Sequence, residues 1–250
     1  MWDEIVSATI PVGEIVLWGL GGPSVVLRTA QTTLLIDPFL GHGVKKGWQR
    51  AIPILFPPES IHSVSAVLSS HHHLDHCHEP TLRPIVERTD AHLYGARSSA
   101  AKWEAWGFPA ARYTALDAGD RLAVGDIAIR VHHALDWEDV RALAFSFIFG
   151  DRVIYYGGDT LYFDGLADAA PVHWALLSYA LNRPEHPAKL YMDEDDVQRA
   201  IAALRAEKTL IMHWDLWQDP YLDPTPLAES LGIIGYCVRA LHQAERLVLD

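Results

Sequence analysis

The chain has 250 residues, half of them hydrophobic, and carries a formal net charge of -12 at pH 7. A chain of this length can bury a sizeable core, and with no linker or break in composition it is expected to form one domain over residues 1–250. The acidic balance argues against a nucleic-acid surface, which needs clustered Lys and Arg to displace counterions.

Met1-Trp2-Asp3-Glu4 lacks the basic and apolar regions of a signal peptide, and no apolar run approaches the roughly 18 residues of a membrane span. A cytoplasmic protein without stable membrane insertion is therefore expected. Residues 14–20, 24–29 and 32–37 are three β-rich runs separated by Gly21-Gly22-Pro23 and Ala30-Gln31, the pattern of an antiparallel meander. It ends at Asp37-Pro38, which by itself reads as a strand-ending turn. Residues 41–62 form a long irregular segment containing Lys45, Lys46, Trp48 and Arg50. Such segments often serve as lids, and the three cations here could meet an anionic substrate or simply be solvated.

Residues 65–70 read as a short buried strand that delivers His71-His72-His73-Leu74-Asp75-His76 into a loop. On extended chain His71 and His73 point the same way and can reach one cation, while Asp75 and His76, in the turn that follows, can serve a second. Imidazole and carboxylate together suit Zn first, and Mn or Fe next. Cys77 follows directly and reads as a small buried apolar residue. It and Cys237 are the only cysteines, too far apart for a disulfide framework and compatible with a reducing compartment.

Helices are expected over residues 80–88 and 98–106, with a strand at 91–94 between them, the alternation of a layered α/β sheet. Strands follow at 121–124, 127–133, 144–149 and 153–156, the last running into Gly157-Gly158-Asp159-Thr160. Residues 174–179 form another buried strand, and Asp193-Glu194-Asp195-Asp196 opens a helix whose positive end the carboxylates favour. A strand at 209–214 carries His213, and residues 225–231 and 238–244 read as short helices.

The spacing His71-x-His73-x-Asp75-His76 resembles the signature of the metallo-β-lactamase superfamily, in its ascorbate-6-phosphate lactonase-like and N-acyl-phosphatidylethanolamine phospholipase D-like branch. The resemblance runs from about Glu14 to about Trp217. It implies an α/β fold of the αββα four-layer sandwich type, with two divalent metal ions at one edge. By the same resemblance Asp37 supports the ligand loop, Asp159 bridges the two ions, His213 is the last ligand, and Tyr179, Trp214 and Lys46 border the substrate. The third ligand of the first ion falls on Asp136 when the motif is aligned from Gly125, with His133, then His132, as alternatives. Where the family often has a His in the first strand-turn, this chain has Gly19-Leu20-Gly21-Gly22.

The implied activity is hydrolysis of a small ester, lactone or phosphodiester, with an anionic substrate faintly favoured, by water activated at a dinuclear site, where Asp75 also handles protons. A metal-dependent oxidoreductase on the same scaffold and a non-catalytic binding protein with an eroded site are the alternatives. The partner is a small-molecule substrate, and a homo-oligomer is compatible with the sequence.

Overall fold

A computed structural model of the chain describes residues 1–45, 48–180, 182, 186–218 and 222–250. Helix α1 (Trp2–Ser7) precedes strands β1 (Val16–Gly21), β2 (Ser24–Arg28) and β3 (Thr33–Ile36). A small hairpin, β4 (Gly43–Lys45) with β5 (Trp48–Gln49), leads to β6 (Ala66–Ser69), α2 (Glu79–Arg88), β7 (His92–Ala96), α3 (Arg97–Ala105) and β8 (Tyr113–Leu116). The second half contains β9 (Arg121–Val124), β10 (Ile127–His133), β11 (Leu143–Phe149), β12 (Arg152–Tyr156), β13 (Trp174–Ser178), α4 (Glu194–Leu204), β14 (Lys208–Met212), α5 (Thr225–Ile233), β15 (Cys237–Ala240) and β16 (Arg246–Val248).

The strands build two seven-stranded mixed sheets, ordered β16-β1-β2-β3-β6-β7-β8 and β15-β14-β13-β12-β11-β10-β9. Alternation along each strand explains why the central runs are apolar at every position. Leu17, Leu68, Ile154 and Met212 enter a core shared by both sheets. Val16, Trp18 and Val67 face the opposite way, under α1 to α3, whereas Tyr155 and Ile211 lie in the cluster with α4 and α5. With both faces of each sheet covered, the layers run helix, sheet, sheet, helix, as the α/β sandwich requires.

Topology places several strand ends together. β10 and β12 are each antiparallel to β11 and so point the same way, and β12, β13 and β14 are mutually parallel. Their C-terminal ends therefore share one edge of the second sheet. In the first sheet β3 and β6 are parallel, so Asp37 and the histidine loop also leave from one edge.

Two expectations are corrected. Residues 238–244 do not form a helix; β15 pairs in parallel with the edge of β14, alternating exposed and half-buried positions, a period of two rather than 3.6. The 41–62 segment is not wholly irregular, since it contains the β4–β5 hairpin and a single 3-10 turn at Pro58–Ser60. The acidic run does cap its helix, because the Asp193 side chain accepts the Asp196 backbone N–H at 3.0 Å. Among the described residues no helix is long and apolar enough to cross a membrane.

Candidate metal centre

Beyond β6 the chain turns sharply, with the backbone N–H groups of His76 and Cys77 donating to the His73 carbonyl, so His71 and His73 converge by turning rather than by extended alternation. Three donor groups result, one of them, His72, His73 and Glu138, on the outer side. One atom each from Asp75, His76, Asp159 and His213 lie within 4.8 Å of one another, and so do one each from His71, His73 and Asp136. His213 Nε2 is 3.1 Å from Asp75 Oδ2 and 3.5 Å from Asp159 Oδ2, while His76 Nε2 is 3.2 Å from Asp159 Oδ2. On the other side His73 Nδ1 stands 3.8 Å from Asp136 Oδ2.

Asp37 holds the frame. Its carboxylate accepts the backbone N–H and the hydroxyl of Ser70, both at 2.6 Å, and lies 2.7 Å from His76 Nδ1 and from the Tyr156 hydroxyl. The Ser70 hydroxyl has one hydrogen, and with that given to Asp37 its oxygen accepts from His71 Nδ1 at 2.9 Å. Both imidazoles are thereby fixed with Nδ1 protonated and Nε2 bearing a lone pair. Asp37 and His213 adopt φ values of 45° and 71°, a left-handed backbone that costs energy outside glycine and recurs at functional sites. Gly158, at φ 56°, lets Asp159 approach: a Cβ there would sit 2.9 Å from Ser70 Oγ.

The turn after β10 grips the histidines from outside. Glu138 Oε2 lies 3.0 Å from His73 Nε2, and Asp139 Oδ2 lies 2.7 Å from His72 Nδ1 and accepts the His72 backbone N–H at 3.2 Å. Asp136 Oδ1 accepts the N–H groups of Glu138 and Asp139 at 2.9 and 2.6 Å, which leaves Oδ2 for the centre. With its Nε2 against Glu138, His73 presents Nδ1 to His71 Nε2, 2.9 Å away.

The close approach of His71 Nε2 and His73 Nδ1, together with the buried His76 Nε2, His213 Nε2, Asp136 Oδ2 and Asp159 Oδ1, which lack a hydrogen-bond partner, suits a cation site. The residues fit divalent metal. Electrostatics agree: burial and the neighbouring His76 and His73 keep His71 well below the usual imidazole range, in its neutral ligand form. Burial would raise the Asp159 carboxyl, but His213 and His76 hold it well below the usual carboxylate range. Burial pulls His76 down, yet Asp159, Asp37 and Asp75 raise it well above its ordinary value. Protons thus occupy charge-balancing positions that cations would take over.

The remaining sequence expectations divide. Asp136, rather than His133 or His132, joins His71 and His73: His132 is bonded to Ser146 at 2.8 Å, and His133 packs its ring on Phe163. Cys77 is buried in the outer core, its thiol pushed up to about 12 by burial. Tyr179 is in the apolar cluster beneath α4 with its hydroxyl 3.5 Å from Glu194, and Trp214 donates to the Leu241 carbonyl at 3.1 Å; neither lines the cleft over the donor groups. Lys46 lies outside the described residues. Arg50 is buried, donating to the carbonyls of Phe39 and Ile52, so it does not meet substrate. Sequence reasoning missed Ser70, Tyr156, Glu138 and Asp139. For the last two, an acidic pair directly after Asp136-Trp137 was the available signal.

Comparisons with known proteins bear on the family and the fold. A family model described as Beta-lactamase superfamily domain matches residues 32–214. The probable L-ascorbate-6-phosphate lactonase UlaG of Escherichia coli is 25% identical over 269 residues, covering 89% of this chain and 75% of that protein. Among solved structures, an isothiocyanate hydrolase from Delia radicum gut bacteria superposes with a TM-score of 0.76 at 19% identity, over 93% of this chain and 98% of that one. The diiron β-hydroxylase CmlA of Streptomyces venezuelae gives 0.72 at 15%, over 95% of this chain and 54% of that one. At such identities the structural likenesses speak for the fold alone.

Proposed function

This chain belongs to the β-lactamase superfamily, and from that premise we propose that it is a metal-dependent hydrolase acting on a small ester, lactone or phosphodiester. The observation that carries the proposal is the convergence of His71 Nε2 and His73 Nδ1, 2.9 Å apart, beside a second cluster of buried polar atoms without hydrogen-bond partners. His71, His73 and Asp136 would hold one divalent cation and Asp75, His76, Asp159 and His213 the other; Zn suits this set best, then Mn or Fe. Bound there, the two ions supply Lewis acidity and lower the pKa of water toward about 7. Asp75 has a carboxylate oxygen at the centre and can take the proton of the attacking water and return it to the leaving group. Asp37 keeps His76 protonated at Nδ1 and so available at Nε2.

Elemental analysis of the purified protein, joined to turnover of bis-p-nitrophenyl phosphate and a γ-lactone before and after chelation, tests this reading. About two equivalents of metal and chelator-sensitive turnover are expected, with metal content falling in Asp136→Asn and holding in His133→Ala. No metal under replete conditions overturns the reading. Three carboxylates, Asp75, Asp136 and Asp159, also suit iron, so oxidation is the second reading, distinguished by substrate-dependent oxygen uptake. The full donor set around His71 and His73 counts against an eroded, non-catalytic site.

A further inference from the structure

Above the donor groups lies a cleft of about 370 Å³ whose walls are aromatic rather than cationic. Trp217 and Trp48 meet edge to face at 5.3 Å, backed by Phe39, and Leu74 packs on the same cluster. Elsewhere on the lining stands Trp137, on the turn that also carries Asp136 and Glu138. Its ring is 5.7 Å from that of His73, inclined at 30°, and it rests edge-on against His186 at 4.5 Å. Trp137 is 40% exposed, an unusual position for the largest side chain unless something covers it.

The charged groups lining this cleft are Asp75, Glu138 and Asp159, and among the described residues no Lys or Arg lines it. Arg50 is committed to backbone carbonyls, and Lys189 is paired with Asp193 and Asp196. Asp75, Asp136 and Asp159 at the donor groups, with Asp37 and Glu138 against the imidazoles, outnumber the four positive charges of two divalent ions. Among the described residues the charged lining is thus all acidic, while three tryptophans and a tyrosine, Tyr191, offer flat apolar contact.

We infer that the substrate is uncharged and presents a planar aromatic or similarly flat apolar group that stacks at Trp137, next to the bond that is cleaved. This rests on the hydrolase reading and narrows its substrate class.

The test compares 5-phenyl-γ-butyrolactone with its para-sulfonated analogue, which share the reacting lactone and differ in charge, using protein of measured metal content. The neutral lactone is expected to have a kcat/KM at least about tenfold higher, mainly through KM. Trp137→Ala should shrink that preference at least about threefold, and Glu138→Gln should improve the sulfonate. Equal turnover, preference for the sulfonate, or a preference that survives intact in Trp137→Ala overturns the inference. Quenching of tryptophan fluorescence gives binding independently of turnover. Saturable quenching by the neutral lactone alone, with no hydrolysis of it or of bis-p-nitrophenyl phosphate, counts against the hydrolase reading and upholds the cleft inference; hydrolysis that favours the sulfonate does the reverse.

Discussion

Replacing Asp37 by Asn changes one oxygen and disturbs four contacts, to the Ser70 N–H and hydroxyl, to His76 Nδ1 and to the Tyr156 hydroxyl. Asn tolerates the φ of 45° that Asp37 adopts, so the fold should persist while His76 loses the carboxylate that fixes its tautomer. Metal affinity, read by competition with a chromophoric chelator, is expected to fall about 10- to 100-fold with an unaltered circular dichroism spectrum; unchanged affinity would show that Asp37 does not orient His76. At this scale the clustering of candidate ligands was legible in the sequence, because histidines and aspartates directly after apolar strands have few other reasons to be there. The sequence hid Ser70, Tyr156, Glu138 and Asp139, whose partners are distant in the chain or, for Ser70, shared with them. A tyrosine in a β-strand looks like core until Asp37 is seen across from it.

The turn 136–139 binds the second sheet to the histidine loop of the first through His72 and Asp139. Its bond to Asp139 raises the pKa of His72, so that contribution is complete below the unfolded value near 6.5 and fades as pH rises through the higher folded value. Burial would raise Asp139, but His72, Ser98 and the N–H groups of Arg141 and His72 hold it below the usual carboxylate range. That contribution is present above the unfolded value of about 4 and fades as pH falls. In chelated protein the difference in unfolding free energy between wild type and Asp139→Asn should therefore be widest between about pH 4 and 6.5, about 1–2 kcal/mol for a half-buried pair. A difference that is flat from pH 3 to 9 would assign the stabilisation to something else. Elements with both faces covered were legible as apolar runs. β15 was misread because it is short and half-exposed, and only its pairing with β14 reveals the period of two.

Across the whole molecule, the donor groups span the interface between the sheets. His71, His73, Asp75 and His76 come from the first, and Asp136, Asp159 and His213 from the second. Ions held by both would tie the layers together, so that binding free energy becomes folding free energy. At free metal about 1,000-fold above Kd the stabilisation is about 4 kcal/mol, which for a chain of this size corresponds to roughly 8–16 °C in Tm. Scanning calorimetry with and without chelator checks it, and coincident transitions would refute a shared ion. The four-layer architecture was legible through the resemblance rather than through periodicity, since continuous apolar runs say that a strand is buried without saying on what.

That joint between the layers also governs rates. The histidine loop emerges early in the chain and His213 late, so the full set of donors exists only once both sheets have docked. A bond made after the folding barrier cannot hasten the climb; it deepens only the descent. Added metal should leave the refolding arm of a chevron plot where it is and slow the unfolding arm, making the ion a lock set after assembly rather than a template for it.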